Sequence, residues 1–102
     1  MGKQDMYRYA YAAFGIKNGE EFVIGRDPTI SHIIVDARAE EVSRKHCSVS
    51  YDSRQRQYIV TDYSRNGTYL DNGTRLKNKV MELVACGTTL YLGNRNNSFV
   101  LN

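Results

Sequence analysis

Short apolar runs recur along this chain about every 8 to 12 residues, separated by Gly, Asn or Asp, and no stretch sustains a helical repeat. That punctuation constrains the fold more than any other property of the sequence. Runs this short, alternating in polarity, must each bury one face against a second sheet, which predicts an all-β sandwich or barrel with little or no helix. Strands are expected at Tyr7 to Phe14, Glu21 to Gly25, Ile33 to Val35, Cys47 to Asp52, Tyr58 to Asp62, Thr68 to Leu70, Val80 to Leu83, Thr89 to Leu92 and Ser98 to Leu101. Asn18-Gly19 and Asn72-Gly73 tolerate positive φ and predict tight hairpins. Asp52 to Gln57 is a polar connection. The single proline, Pro28, ends strand pairing and stiffens the loop after Gly25-Arg26.

With 102 residues, 41% of them hydrophobic and 25% charged, the chain can build one small core but not two, so one domain spanning residues 1–102 is expected. It is expected to be either a whole protein or one module of a longer one. No apolar stretch approaches the roughly 18 residues of a spanning helix, and Met1-Gly2-Lys3-Gln4-Asp5 lacks the apolar run of a signal peptide, so a cytoplasmic location without membrane attachment is expected. Met6 stands where a myristoylation motif wants Ser or Thr. Two cysteines, Cys47 and Cys86, without C-x-x-C spacing or clustered histidines argue against a zinc site or a disulfide framework; both are expected to be buried thiols, and no metal or cofactor is expected. The net charge of +3 favours acidic partners without demanding nucleic acid.

Three turns carry the chemistry. Gly25-Arg26, Ser43-Arg44-Lys45-His46 and Asn66-Gly67-Thr68 follow one another in that order, each between strand-like runs. Turns from different strands can converge at one edge of a sandwich, bringing a guanidinium, a hydroxyl and an amide to one point, a set that suits a phosphorylated side chain. Arg26 offers rigid donors matched to phosphate in charge and geometry. Ser43 would donate its hydroxyl, and Arg44 adds charge. Asn66 both donates and accepts, so it would clamp the backbone of an extended peptide, with Arg65 on the same rim. Gly25, Gly67 and Thr68 are expected to shape the turns.

These segments resemble the forkhead-associated domain, a phosphothreonine-binding module. The resemblance rests on Phe22-Val23-Ile24-Gly25-Arg26, Val42-Ser43-Arg44-Lys45-His46-Cys47, Asp62-Tyr63-Ser64-Arg65-Asn66-Gly67-Thr68-Tyr69-Leu70 and Leu90-Tyr91-Leu92-Gly93, and covers most of the chain. It implies a sandwich of two twisted sheets with about eleven short, mostly antiparallel strands. It also implies phosphate contacts from Arg26, Ser43 and Arg44, and peptide-backbone contacts from Asn66 and Arg65. His46 is assigned a structural role, its ring bonding neighbouring loops so that Ser43 and Arg44 keep their placement. The implied partner is a phosphothreonine-containing protein, a substrate of a Ser/Thr kinase, met by a monomeric domain.

Other classes fit less well. A hydrolase built on Ser43, His46 and Asp62 lacks a G-x-S-x-G elbow, so no enzymatic activity is expected. The eight tyrosines lie mainly in strand-like segments and form no patterned stacking platform, which argues against an oligonucleotide-binding barrel and against nucleic acid as a partner. A phosphate-independent scaffold of the same fold is the alternative, and the intact phosphate-facing pattern argues against it.

Overall fold

A computed structural model describes residues 6–102; Met1 to Asp5, the segment on which the signal-peptide and lipidation readings rest, lie outside the described residues. The elements are α1 (Met6–Phe14), β1 (Phe22–Gly25), β2 (Ile33–Ile34), β3 (Cys47–Asp52), β4 (Gln57–Asp62), β5 (Thr68–Leu70), β6 (Met81–Ala85), β7 (Thr88–Leu92) and β8 (Ser98–Leu101). They form a two-sheet sandwich, one sheet ordered β2-β1-β3-β4-β6 and the other β5-β7-β8. All strand pairs are antiparallel except β1 with β2. Among the described residues no helix is long and apolar enough to cross a membrane.

The period-two pattern sets the core. Phe22 and Ile24 of β1 stand opposite Val49 and Cys47 of β3, which stand opposite Val60 and Asp62 of β4. Tyr58 and Val60 continue that inner face, and Leu90, Leu92 and Leu101 close it from the second sheet, all fully buried. The alternate residues Ser48, Ser50 and Thr61 lie on the outer face yet are almost as buried, recessed beside the larger Val23, Ile59 and Met81 that oppose them in register.

The structure corrects the N-terminal expectation: Tyr7 to Phe14 is a helix. Tyr7, Tyr9 and Tyr11 alternate like a strand, but Met6, Tyr7, Ala10 and Phe14 also fall on one helical stripe, and alanines at 10, 12 and 13 favour helix. The helical stripe wins because it packs against the core, with Ala10 completely buried and Tyr9 and Tyr11 left in solvent. Two otherwise unpaired N–H groups of its first turn are satisfied from outside, Met6 by the Asn102 carbonyl and Tyr7 by the Tyr58 hydroxyl, both at 2.9 Å. Tyr7 stacks on Tyr51 at 4.7 Å, and Tyr51 meets Tyr58 edge-on at 5.0 Å.

This helix, and the isolated bridges Asp62 to Asn78 and Tyr69 to Arg75 that never extend into ladders, leave eight strands among the described residues rather than about eleven. Asn18-Gly19 is a tight turn with Gly19 at φ 84°, but it joins α1 to β1 instead of closing a hairpin. Asn72-Gly73 does fold the chain back on itself, with Leu70 and Thr74 hydrogen-bonded across it. Cys47 is buried, and burial pushes its thiol up to about 12. Cys86 is exposed instead, because it sits in the turn between β6 and β7, where its thiol donates to the Arg56 carbonyl.

Tyr58 links the helix start to the last residue, since its hydroxyl accepts from Tyr7 N–H and donates to the Asn102 carbonyl. Tyr58→Phe should therefore cost about 1 to 3 kcal/mol in urea unfolding by leaving the Tyr7 N–H unmatched and the Asn102 carbonyl with the Met6 N–H alone. An unchanged midpoint would show that the helix does not depend on this link.

Candidate functional site

The site is built on a buried charge at the end of β4. Asp62 occupies the inward parity of Tyr58 and Val60, so its carboxylate is driven into the sandwich with 1% of the residue exposed. An uncompensated carboxylate there would cost several kcal/mol. It is compensated fully. Oδ1 accepts from the Ser64 N–H at 3.2 Å, the Ser64 hydroxyl at 2.5 Å and the Thr68 hydroxyl at 2.8 Å, while Oδ2 accepts from Asn78 Nδ2 at 3.1 Å. Burial pushes the carboxyl upward, but the hydrogen bonds from Ser64, Thr68 and Asn78 outweigh it and hold Asp62 below the ordinary carboxylate value. Because Thr68 opens β5, this charge clasps one sheet to the other and shapes the intervening 63–67 turn. Ser64 Oγ in turn accepts the Gly67 N–H at 2.8 Å.

His46 joins that turn to the next. Its buried ring accepts the Ser43 N–H on Nδ1 at 3.1 Å and lies 2.9 Å from the Gly67 carbonyl through Nε2, which places the proton on Nε2. Burial lowers its pKa despite the opposing pull of the Gly67 carbonyl and the Asp62 charge, so the ring stays neutral. Its backbone bonds Ile24 and Tyr63, so one residue touches β1, the end of β4 and two turns.

On this frame the structure brings five of the expected contact residues into two adjoining clusters. Arg26 and Arg44 line one cleft of about 290 Å³ together with Asp27, Pro28 and Ala37. Arg26 is half-buried; Nε donates to the Val42 carbonyl and Nη1 to the Ala37 carbonyl at 3.1 Å, leaving three of its five N–H donors. Ser43 is next to Arg44, and its Oγ accepts the Arg65 N–H at 3.1 Å, which ties the second cluster to the first and leaves its own proton without an acceptor among the described residues. Asn66 is exposed with Arg65, but its Nδ2 donates to the Glu41 carbonyl at 3.1 Å, so only its carbonyl and one N–H face outward.

Gly25 serves a close approach rather than a positive φ, since a Cβ there would overlap the Arg44 carbonyl oxygen. Gly67 serves the positive φ instead: at φ 97° it sits in the left-handed region that strains any other residue, and an added Cβ would also meet the Arg75 side chain, with Nε at 2.7 Å. Lys45, beside Arg44, is turned over the Tyr63 ring at 4.0 Å. Sequence reasoning gave no structural part to Asp62, Ser64 or Asn78. The legible signal was an aspartate on the inward parity of β4, able to form an Asx-type turn by accepting the N–H two residues on, where a serine adds its hydroxyl. Among the described residues no group of three or more His, Cys, Asp or Glu is placed to hold a metal ion.

Two sheets whose connecting turns gather cations, a hydroxyl and an amide at one end define a loop-edge recognition domain. The FHA domain family model matches residues 22–93, and the chain belongs to that family. Among solved structures, the FHA domain of CT664 from Chlamydia trachomatis superposes with a TM-score of 0.64 at 19% identity, covering 76% of this chain and 72% of that one. The MEK1 FHA domain in complex with a phosphothreonine peptide of HOP1 gives 0.61 at 25% identity and 76% coverage of both chains. The N-terminal FHA domain of Rad53p from S. cerevisiae, in complex with a phosphothreonine peptide, gives 0.60 at 18% identity over 96% of this chain and 75% of that one. A search of curated proteins finds no significant match.

The Asp62 charge makes a pH prediction. A carboxyl held low in the folded state contributes stability above its unfolded value, and that contribution is lost as pH falls through the folded value. Asp62→Asn should be clearly less stable than wild type at pH 7 by chemical denaturation, and the gap should narrow as pH falls through and below the ordinary carboxylate range. The neutral His46 does not cancel in the difference: losing the Asp62 charge lowers its pKa further and costs the variant extra stability as pH falls below the ordinary histidine value, so the narrowing is read across the carboxylate range below it. A gap independent of pH would contradict a charged Asp62 in the folded protein.

Proposed function

We propose that this domain binds phosphothreonine-containing segments of partner proteins and tethers them without chemical change. The observation that carries the reading is the joining of Arg26, Ser43 and Arg44 to the Arg65-Asn66 turn through the Ser43 hydroxyl and the His46 ring. The phosphate is held by the remaining Arg26 donors, by the Ser43 hydroxyl proton and by Arg44, and the outward edge of Asn66 with Arg65 meets the peptide backbone. Relatives of the same fold were solved with phosphothreonine peptides bound, which supports the assignment. The partner is a protein phosphorylated on threonine by a Ser/Thr kinase, and the domain engages it as a monomer.

Charge-assisted hydrogen bonds contribute about 1.5 to 3 kcal/mol each, so two or three of them with backbone contacts give roughly micromolar affinity. A phosphate-independent scaffold of the same fold is favoured by one observation, that two Arg26 donors already brace the 37–42 loop. Fluorescence anisotropy with phosphothreonine, phosphoserine and unphosphorylated peptide libraries separates the two. Phosphothreonine-dependent binding should weaken at least about tenfold in a folded Arg26→Ala variant and weaken with salt. Equal binding of phosphorylated and unphosphorylated libraries would establish the scaffold instead.

A further inference from the structure

Among the described residues four strands lie at sheet edges, β2 and β6 in one sheet and β5 and β8 in the other. An edge strand turns the N–H and carbonyl of every second residue away from its neighbour, and those groups pair with any extended chain that reaches them unless the edge is short or covered. Three of the edges are managed in these ways. β2 is only two residues long. The free side of β5 is taken by residues 74–76, with the Leu70 N–H on the Thr74 carbonyl at 2.8 Å and the Leu76 N–H on the Thr68 carbonyl at 2.9 Å. β8 is flanked by α1, which shares an apolar cleft of Met6, Tyr9, Phe99 and Val100 with it and caps the Asn102 carbonyl.

β6 is left open. It is five residues long and pairs with β4 alone, and among the described residues no backbone group of Met81–Ala85 has a partner on the other side. Its outer-face side chains are apolar, with Met81 69% and Leu83 51% exposed. It contains no proline, and its one charge, Glu82, is turned back to accept the Lys77 N–H at 3.4 Å. The devices that blunt an edge are therefore missing from it.

The open edge begins at the recognition loops. β4 ends at Asp62, where the 63–67 turn starts, and β6 is antiparallel to β4, so β6 starts beside that turn and runs away from it. Asn78, just before β6, donates through Nδ2 to the Ser64 carbonyl at 3.3 Å and to the Asp62 carboxylate at 3.1 Å, which fixes the entry to the edge against the turn that carries Arg65 and Asn66. Lys79 bends the chain into β6 at φ 63°, its N–H on the Asp62 carbonyl at 2.7 Å. Glycine would make that left-handed bend with less strain, whereas lysine adds a cation. Lys77 and Lys79 are both exposed and form no salt bridge among the described residues, so the entry is positively charged.

We propose that β6 takes a strand from the partner: residues on one side of the phosphothreonine continue from the Arg65-Asn66 turn along β6 and add to the β2-β1-β3-β4-β6 sheet as a further strand. Backbone hydrogen bonds hold it, alternate apolar side chains cover Met81 and Leu83, and an acidic residue meets Lys77 and Lys79. The five residues of β6 span about 17 Å, so about five partner residues match it. The inference rests on phosphothreonine reading at Arg26, Ser43 and Arg44, which sets where the strand begins.

The test lengthens one library-selected phosphothreonine peptide a residue at a time, on either side, by an Asp followed by alternating Val and Thr, and reads its affinity for wild type and Met81→Glu by fluorescence anisotropy. Wild type should bind about tenfold tighter once the tract on one side reaches about five or six residues, because two or three backbone hydrogen bonds are added. N-methylation of alternate tract residues should remove that gain in one of the two registers. Met81→Glu should also remove it while keeping the affinity for the short peptide, which shows that the variant is folded. Absence of any gain with length, or a gain that survives N-methylation in both registers or survives Met81→Glu, would overturn strand addition and leave the primary reading intact. A dimer of the free domain that Met81→Glu dissociates would assign the edge to a second copy instead. Absence of phosphothreonine-dependent binding to any peptide would overturn both readings.

Discussion

The placement of the recognition loops depends on one imidazole. His46 accepts from the Ser43 N–H and donates to the Gly67 carbonyl, so the turn that carries Ser43 and Arg44 and the turn that carries Arg65 and Asn66 are held at fixed separation by a single neutral ring. Neither turn has a ladder of its own at that point. The ring works because it is buried and therefore neutral, one nitrogen acting as donor and the other as acceptor; a protonated ring would offer two donors and lose the Ser43 bond. Asp62 does the complementary work from beneath, fixing the 64–68 backbone through Ser64 and Thr68 and joining the sheets with a charge whose four hydrogen bonds offset its burial.

Rigidity of this kind bears on affinity. Loops already fixed by buried hydrogen bonds have little conformational freedom left to lose, so in the proposed binding mode the contacts of a few cations and one hydroxyl would carry over into affinity largely undiminished. Arg26 shows the same economy: two of its donors brace the 37–42 loop, which sets the plane of the guanidinium. The two glycines at the site serve the same fixed loops, Gly25 by allowing a backbone approach that a Cβ would block and Gly67 by allowing a positive φ.

Most of the sheet architecture was legible in the sequence, because alternation in β1, β3, β4 and β7 is set by burial on one face and nothing competes with it locally. The three turns were legible for the same reason, as punctuation between those strands. Residues 7–14 were not, because tyrosines spaced by two satisfy a strand pattern while Met6, Tyr7, Ala10 and Phe14 satisfy a helical one, and only contact with Tyr58 and Asn102, far away in sequence, decides between them. Asp62 was visible as a charge on the inward parity of a strand, but its partners Thr68 and Asn78 come from other elements and are named only by the fold. The outer-face pairing of Tyr69 with Tyr91 likewise exists only once β5 and β7 are in register.

The central claim is that phosphothreonine is read where these turns meet, and backbone NMR titration with one binding peptide tests it most directly. The account predicts that the phosphorylated form perturbs the amides of Arg26, Ser43, Arg44, Arg65 and Asn66, and that the unphosphorylated form leaves them unmoved. Equal perturbation by both forms, or shifts confined to the outer face of β4 and β6, would contradict it.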